Sequence, residues 1–445
     1  MVRRSPLTRR ILAIFWIVTG FGAIAAENSS ADATSALRVN AVRLENGLQA
    51  LAAYGKTAEG GVNRPAFSES DLQARRFILE MMKDAGLRAR VDEAGNLIGR
   101  HDGLDASLPA LAAGSHIDSV PDGGRFDGAL GVLAAIECCR TLRDYRVRLR
   151  HPLEVIVFAD EEGGLVGSRA IIGELDERGL DVVTQSGKTV REGISAAGGN
   201  PGMIKSAGRK KGDLTGYLEL HIEQGNILDS RKVRIGVVEG IVGISRWEVV
   251  VQGAANHAGT TPMDGRQDAL LAAAQLITAV NRVVRRTPGR QVGTVGRIKA
   301  EPGAVNVIPG KVTMSLELRD LAREKILSLF QEIQKEASYI ERETRTNIAF
   351  HEAEAPSVPA LLDPDIKKLI SLAAAELGLS SLEMPSGAGH DAQNMSRIAP
   401  TGMIFIPSVA GISHSPKEFS RPEDLEAGAN VLLLTLLKLD AKKSS

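Results

Sequence analysis

Leu108-Pro109-Ala110-Leu111-Ala112-Ala113-Gly114-Ser115-His116-Ile117-Asp118 passes from a short apolar run into a turn carrying an imidazole and a carboxylate. Three further runs end in the same way. Leu153 to Ala159 leads into Asp160-Glu161-Glu162-Gly163-Gly164, and Tyr217 to Leu220 into His221-Ile222-Glu223-Gln224-Gly225. Met403 to Ile406 precedes Gly411-Ile412-Ser413-His414-Ser415-Pro416. Runs this short and apolar, bounded by Gly, Pro or charge, read as buried strands of a mainly parallel sheet. Between them, Asp71 to Ala85, Gly128 to Leu142 and Asp363 to Leu377 have helical apolar spacing, the last opening with a cap residue and Pro. Alternating strands and helices specify an α/β layer fold. Ligands of open α/β sheets collect beyond the carboxyl ends of parallel strands, so these clusters, joined by Gly123-Gly124-Arg125-Phe126-Asp127-Gly128, can share one crevice.

The middle of the chain has another rhythm. Ile244 to Val251 reads as a strand, Gly265 to Val284 as a helix, Gln291 to Ile298 and Lys311 to Leu318 as strands, and Leu321 to Ile340 as a second helix. A further strand is expected around Asn347 to His351. Two helices among several strands suggest a ferredoxin-like α+β unit. Sheet patterns resume after Pro359, so residues 243–358 read as an insertion between two parts of one catalytic domain, residues 34–242 and 359–440.

Composition excludes several functions. Fifty-four Lys and Arg balance 54 Asp and Glu, which does not make a surface for nucleic-acid phosphates. The two cysteines are adjacent, Cys138 and Cys139, so neither a disulfide framework nor a thiolate metal site is available. They read as small packed residues in the helix after Gly128. At the N-terminus Arg3, Arg4, Arg9 and Arg10 precede an apolar run from Ile11 to Ala25, closing with Ala23-Ile24-Ala25. That outline is a signal peptide over residues 1–25, implying export to the periplasm or medium and no stable membrane insertion after cleavage. The alternative is an uncleaved anchor, but the run falls short of the ~20 residues needed to span a bilayer. Cleavage after Ala25 removes four positive charges and no negative ones from a chain of net charge 0, leaving −4.

Two His, an Asp and a Glu, with another His from the C-terminal cluster, form an N/O donor set suited to zinc or manganese, while cobalt and nickel are also accepted. Five ligands exceed one tetrahedral site, so two divalent ions sharing a bridging carboxylate fit better. Each residue has a plainer reading. A lone His can be a turn residue, Glu161-Glu162 a solvated helix start, and Asp127 the cap of the next helix.

Together with Gly167-Ser168-Arg169-Ala170, Asn256-His257-Ala258-Gly259-Thr260-Thr261-Pro262-Met263, Asn306-Val307-Ile308-Pro309-Gly310 and Ser386-Gly387-Ala388-Gly389-His390-Asp391-Ala392, these segments resemble the M20 metallopeptidase-like superfamily. More narrowly they are similar to its hydantoinase/carbamoylase branch, which includes N-carbamoyl-L-amino-acid hydrolases, β-ureidopropionases, and allantoate and ureidoglycolate amidohydrolases. The resemblance is ordered and runs from about residue 40 to residue 435. It implies that Asp127 bridges two metals, with His116 and His221 completing one site and Glu162 and His414 the other. Asp118 would be a supporting carboxylate fixing the His116 tautomer. Glu161 would be the general base of a dinuclear metal amidohydrolase, passing a water proton to the leaving nitrogen of an amide or ureido group.

The resemblance also makes His257 an oxyanion donor, with His390 nearby, and assigns substrate contacts to Gln224, Asn306 and Arg319. Arg319 would clamp a substrate carboxylate; its alternative is a surface ion pair with Asp320 or Glu317, worth about 0–1 kcal/mol. In the family such residues of the inserted lid come from the partner subunit of a homodimer. The substrate implied is a small ureido or amide acid, most directly an N-carbamoyl-L-amino acid. Allantoate or ureidoglycolate, a peptide, or binding without turnover are the rival readings. Two departures bear on the pocket. Only Gly163-Gly164-Leu165-Val166 separate the Glu pair from Gly167-Ser168-Arg169-Ala170, a shorter link than relatives have, and Asn226 stands where they commonly have Pro.

Overall fold

The computed structural model describes Met1, residues 37–353 and residues 356–442. Apart from Met1, the expected signal segment lies outside the described residues. Among the described residues no helix is long and apolar enough to cross a membrane.

In chain order the strands begin with β1 (Arg88–Val91), β2 (Leu97–His101), β3 (Ala110–His116), β4 (Leu153–Phe158), β5 (Leu214–Ile222) and β6 (Ile235–Ile241). The middle segment contributes β7 (Gly243–Gln252), β8 (Asn256–His257), β9 (Val292–Thr294), β10 (Ile298–Glu301), β11 (Val307–Ile308), β12 (Lys311–Asp320) and β13 (Asn347–Glu352). Last come β14 (Ala360–Leu361), β15 (Ser381–Ser386) and β16 (Thr401–Ile406).

The main sheet has the order β1-β2-β4-β3-β5-β16-β6-β14, with β15 beside β6. Its centre is the parallel set β4, β3, β5 and β16, the four apolar runs of the sequence, and every residue of β3, β4 and β16 is buried. β2 and β6 flank this set antiparallel. Helix Ala129–Asp144 is buried almost all round, Cys138 and Cys139 included, because it lies between the sheet and helices Ala41–Ala52 and Pro422–Ala441. Helix Pro364–Glu376 starts as its sequence predicts, with the Asp363 side chain accepting from the Ile366 N–H.

Strands β13-β7-β12-β10 form a second, antiparallel sheet, with β9 also on β12. Numbered along the chain this is the 4-1-3-2 order of a ferredoxin-like unit. Helices Ala269–Arg286 and Arg323–Thr344 supply Leu276, Val283 and Ile333 to a core shared with Trp247, Val249 and Leu316.

Two expectations for this segment are corrected. The helix placed from Gly265 begins at Ala269, because the Asp268 carboxylate caps the N–H groups of Leu270 and Leu271. The single strand expected over Gln291 to Ile298 is two. Thr294 faces Glu317 while Ile298 faces Met314, so four residues on one side match three on the other. The extra residue is a bulge, held where Ser315 Oγ accepts from the Arg297 N–H at 3.1 Å.

Candidate active site

The parallel strands deliver the donor groups to one end of the main sheet. His116 closes β3, Glu161 and Glu162 follow β4, His221 lies near the end of β5, and His414 follows β16. Asp127 stands just before helix Ala129–Asp144 and occupies the centre. Its Oδ1 is 3.2 Å from His221 Nε2 and 3.5 Å from His116 Nε2. Its Oδ2 is 3.3 Å from His414 Nε2, which in turn is 3.7 Å from Glu162 Oε1. The atoms therefore form two triads, His116-Asp127-His221 and Asp127-Glu162-His414, each within 4.8 Å, sharing one carboxylate.

Ring orientation suits a cation. His221 Nδ1 faces the Ile222 carbonyl at 2.9 Å and His116 Nδ1 the Asp118 carbonyl at 3.0 Å. With Nδ1 held by these carbonyls, each Nε2 points towards Asp127, the ring orientation of an imidazole that ligates through Nε2. Glu162 Oε1 is buried without a hydrogen-bond partner, which suits an oxygen that ligates a cation. The plainer readings fall away here. No side-chain cap is made at Gly128, so Asp127 is not the helix cap, and the Glu161 and Glu162 side chains are only 9% and 10% exposed. Asp118 differs in detail from its expected part. Its carbonyl takes the hydrogen bond of His116 Nδ1 with carboxylate Oδ1 3.6 Å from the same nitrogen, and the carboxylate also accepts from the N–H groups of Glu161 and Glu162 at 3.3 and 3.1 Å.

The titratable groups of the cluster perturb one another strongly. Burial pushes Glu162 up to about 7 and raises Glu161 well above the usual carboxylate range. Asp127 is buried as well, yet His221, His116 and His414 together hold it well below that range. The hydrogen bond to Asp127 lifts His414 to about 9. Burial disfavours a charged His116 ring, but Glu161, Asp118 and Asp127 outweigh it and raise its pKa well above normal.

Several residues that hold this geometry were not identified from sequence. Glu418, 4% exposed, accepts from the N–H groups of Phe126 at 2.9 Å and Asp127 at 3.2 Å, and from Ser413 Oγ at 2.9 Å. Ser413 also reaches Asp127 Oδ2 at 3.1 Å. Glu418 thus ties the His414 loop to the Asp127 loop across 291 residues of chain. A Cβ on Gly124 would lie 2.0 Å from the Glu418 carboxyl, and one on Gly128, at φ 63°, would lie 2.4 Å from His116 Nε2. Asp160, Gln224 and His414 also have φ between 52° and 58°, so strained backbone encircles the cluster. Glu219 lies close to His221 and His390, but Ser115 Oγ, Tyr217 Oη and the Ala392 N–H already occupy its carboxylate.

The remaining expected residues are distributed unevenly. Gln224 faces the cluster, its Nε2 donating to Asp127 Oδ2 at 2.7 Å. His390 is 1% exposed, with its ring edge-on to His221 at 4.6 Å and Nε2 on Ser386 Oγ at 2.8 Å. It lies beneath the ligands, and burial beside His221 pushes its pKa well down, leaving it neutral. Arg319 donates to Glu317 Oε1 and to the Gly387 carbonyl, both at 2.7 Å, so the ion pair posed as its alternative is present. His257 and Asn306 are exposed and adjacent on the β8–β11 ribbon, where Ala258 N–H meets the Asn306 carbonyl at 2.9 Å.

Residues 112–438 match the pattern of peptidase family M20/M25/M40. The chain belongs to this family. Within M20 the chain is 40% identical over 402 residues to an N-carbamoyl-L-amino acid amidohydrolase from Geobacillus stearothermophilus, covering 89% of this chain and 98% of that protein. It is 38% identical over 423 residues to a ureidoglycolate hydrolase from Arabidopsis thaliana, covering 92% and 89% respectively. The crystal structure of a hydantoinase/carbamoylase family amidase from Burkholderia multivorans superposes with a TM-score of 0.86 at 35% identity, over 92% of this chain and all of that one.

Proposed function

We propose that this chain hydrolyses a ureido or linear amide C–N bond, most directly that of an N-carbamoyl-L-amino acid, giving the L-amino acid, CO2 and ammonia. The observation that carries this reading is the Asp127 carboxylate shared by two donor triads, with Glu161 Oε2 3.8 Å from His116 Nε2. His116, His221 and Asp127 would hold one divalent ion, and Asp127, Glu162 and His414 the other. When bound, a zinc or manganese pair polarises the ureido carbonyl and acidifies water.

The chain's own groups move the proton. Glu161, its pKa raised by burial, takes a proton from the attacking water and returns it to the leaving nitrogen as the C–N bond breaks. The remaining carbamic acid loses CO2. His257 is suited to donate to the developing oxyanion. Its Nδ1 accepts from the N–H groups of Gly259 at 3.0 Å and Thr260 at 3.3 Å, so the ring proton sits on Nε2.

A homodimer fits the exposure of His257 and Asn306 on their ribbon, each serving the partner's cluster. Mixed dimers of Glu161→Gln with His257→Ala test this. Donation across the interface regenerates about a quarter of wild-type activity, one intact site in the half of dimers that are mixed, and none returns if both residues act within one chain. Residues 1–25 are proposed as a cleaved export signal; N-terminal sequencing of the secreted chain should begin near Ala26, and retention of Met1 would oppose it.

The deciding experiment is ammonia release by the metal-loaded chain from N-carbamoyl-L-amino acids, N-carbamoyl-β-alanine, allantoate, ureidoglycolate and dipeptides. Ammonia from a ureido acid, abolished by Glu161→Gln, supports the proposal. Ureidoglycolate as the best substrate would follow the plant relative instead. Cleavage of dipeptides without ammonia would make the chain a peptidase, and binding without turnover would make it a carrier.

A further inference from the structure

A second concavity lies at the opposite end of the main sheet from the metal-type donors. Leu153, which starts β4, pairs with His101 at the end of β2, whereas Glu161 and Glu162 follow the other end of β4. Six residues of strand separate the two ends by roughly 20 Å. Here a pocket of about 430 Å³ is lined by Arg88, Arg100, Arg143, Arg146 and Arg148, with Asp102 as its one carboxylate.

The positive charge is not balanced within the chain. Arg88 and Arg100 are direct cross-strand partners in the β1–β2 pair, an arrangement in which like charges repel. Asp102 serves both, 2.8 Å from Arg88 and 4.0 Å from Arg100. Glu154 also pairs with Arg100 at 2.8 Å, but it shares its charge with Arg209 at 2.6 Å. Arg143 is 3.4 Å from Asp144, whose other oxygen is held by Arg43 at 2.8 Å. Among the described residues Arg146 and Arg148 form no ion pair, and Arg148 donates to the Gly103 carbonyl at 2.9 Å. Arginines also complement the carboxyl end of helix Ala129–Asp144, but a helix end carries only about half a charge. That cannot offset Arg143, Arg146 and Arg148 together. Arg146, moreover, is held at φ 57°, a left-handed conformation that costs energy outside glycine.

We infer that this pocket is a binding site for a small, doubly charged tetrahedral oxyanion of the phosphate or sulfate class. Guanidinium groups match such oxygens bidentately, and a concave site places several of them around one anion. The anion offsets the repulsion between Arg88 and Arg100 and engages the unpaired groups of Arg146 and Arg148. The site is independent of the proposed hydrolysis.

Titration of the metal-loaded chain with sulfate, and separately with inorganic phosphate, at low ionic strength in a buffer without other divalent anions tests the assignment. Saturable binding at one site is expected, weakening steeply with added NaCl. Arg146→Ala/Arg148→Ala, both at exposed positions, should reduce sulfate affinity at least about tenfold. Circular dichroism and ammonia release should be unchanged, and Arg178→Ala, a surface arginine elsewhere, should bind as wild type. No saturable binding at millimolar sulfate, or equal binding by the double variant, overturns the site. Cosedimentation with phosphatidic acid vesicles in the absence of free-anion binding also overturns it, since the surface would then read a membrane and not a discrete anion.

Discussion

Replacing Glu418 with Ala removes the link between the two loops that carry Asp127 and His414. Glu418 Oε1 is the acceptor for the buried N–H groups of Phe126 and Asp127. Each loses that acceptor, at about 1–3 kcal/mol per orphaned group, so the change should destabilise the fold by about 2–6 kcal/mol. Ser413 Oγ loses Glu418 but keeps Asp127 Oδ2 at 3.1 Å, so it adds little. Glu418→Gln is the informative control. Its amide oxygen still accepts both N–H groups, and its NH2 can donate to Ser413 Oγ, so most of the stability should return. Urea unfolding of wild type, Ala and Gln forms measures the energy, and metal analysis after dialysis measures the site. With two ions held as proposed, the Ala form should lose the one on the His414 side first, falling from two equivalents toward one, because that loop is the one set adrift. An Ala form within about 0.5 kcal/mol of wild type that still retains two equivalents would refute the reasoning.

Three further outcomes follow from the geometry. Gly128→Ala should cost about 1–3 kcal/mol in backbone strain, and the new Cβ should displace His116 and weaken metal binding, read by competition with a chelator; unchanged affinity would contradict the 2.4 Å approach. His414 is raised to about 9 without metal, so near pH 7 it is protonated and ligation must expel that proton. Metal affinity should therefore rise with pH up to about 9, and calorimetry in buffers of different ionisation enthalpy should detect proton release; a pH-independent affinity between 6 and 8 would count against His414 as a ligand. Arg319→Ala should raise KM for a carboxylate substrate roughly 10- to 150-fold, the loss of a charged hydrogen-bond pair, with kcat nearly kept. Folding should be little affected, since Glu317 retains Arg246 at 2.6 Å; unchanged KM would leave Arg319 only its bonds to Glu317 and to the Gly387 carbonyl.

The apolar runs and the residues that end them were enough to specify the parallel core, because burial on both faces leaves a continuous hydrophobic signature and strand ends are where polar groups can return. They also marked the strand ends that carry His116, Glu161, Glu162, His221 and His414, while the family resemblance picked Asp127 from the carboxylates nearby. The ferredoxin-like α+β type could be read from the alternation of periods, but the strand order and the bulge between β9 and β10 could not. It depends on Ser315 of a different strand, and no local pattern reports the register of a partner. Only the folded chain decided that Asp127 turns one oxygen to each triad, that the Asp118 carbonyl orients His116, and that Glu418 braces Asp127. These are contacts between segments up to 291 residues apart, whose side chains carry no signal of which oxygen faces which neighbour. The arginine pocket has the same origin. Arg88 and Arg100 become neighbours through strand pairing, and a chain with no net charge gathers five guanidiniums in one place only by folding.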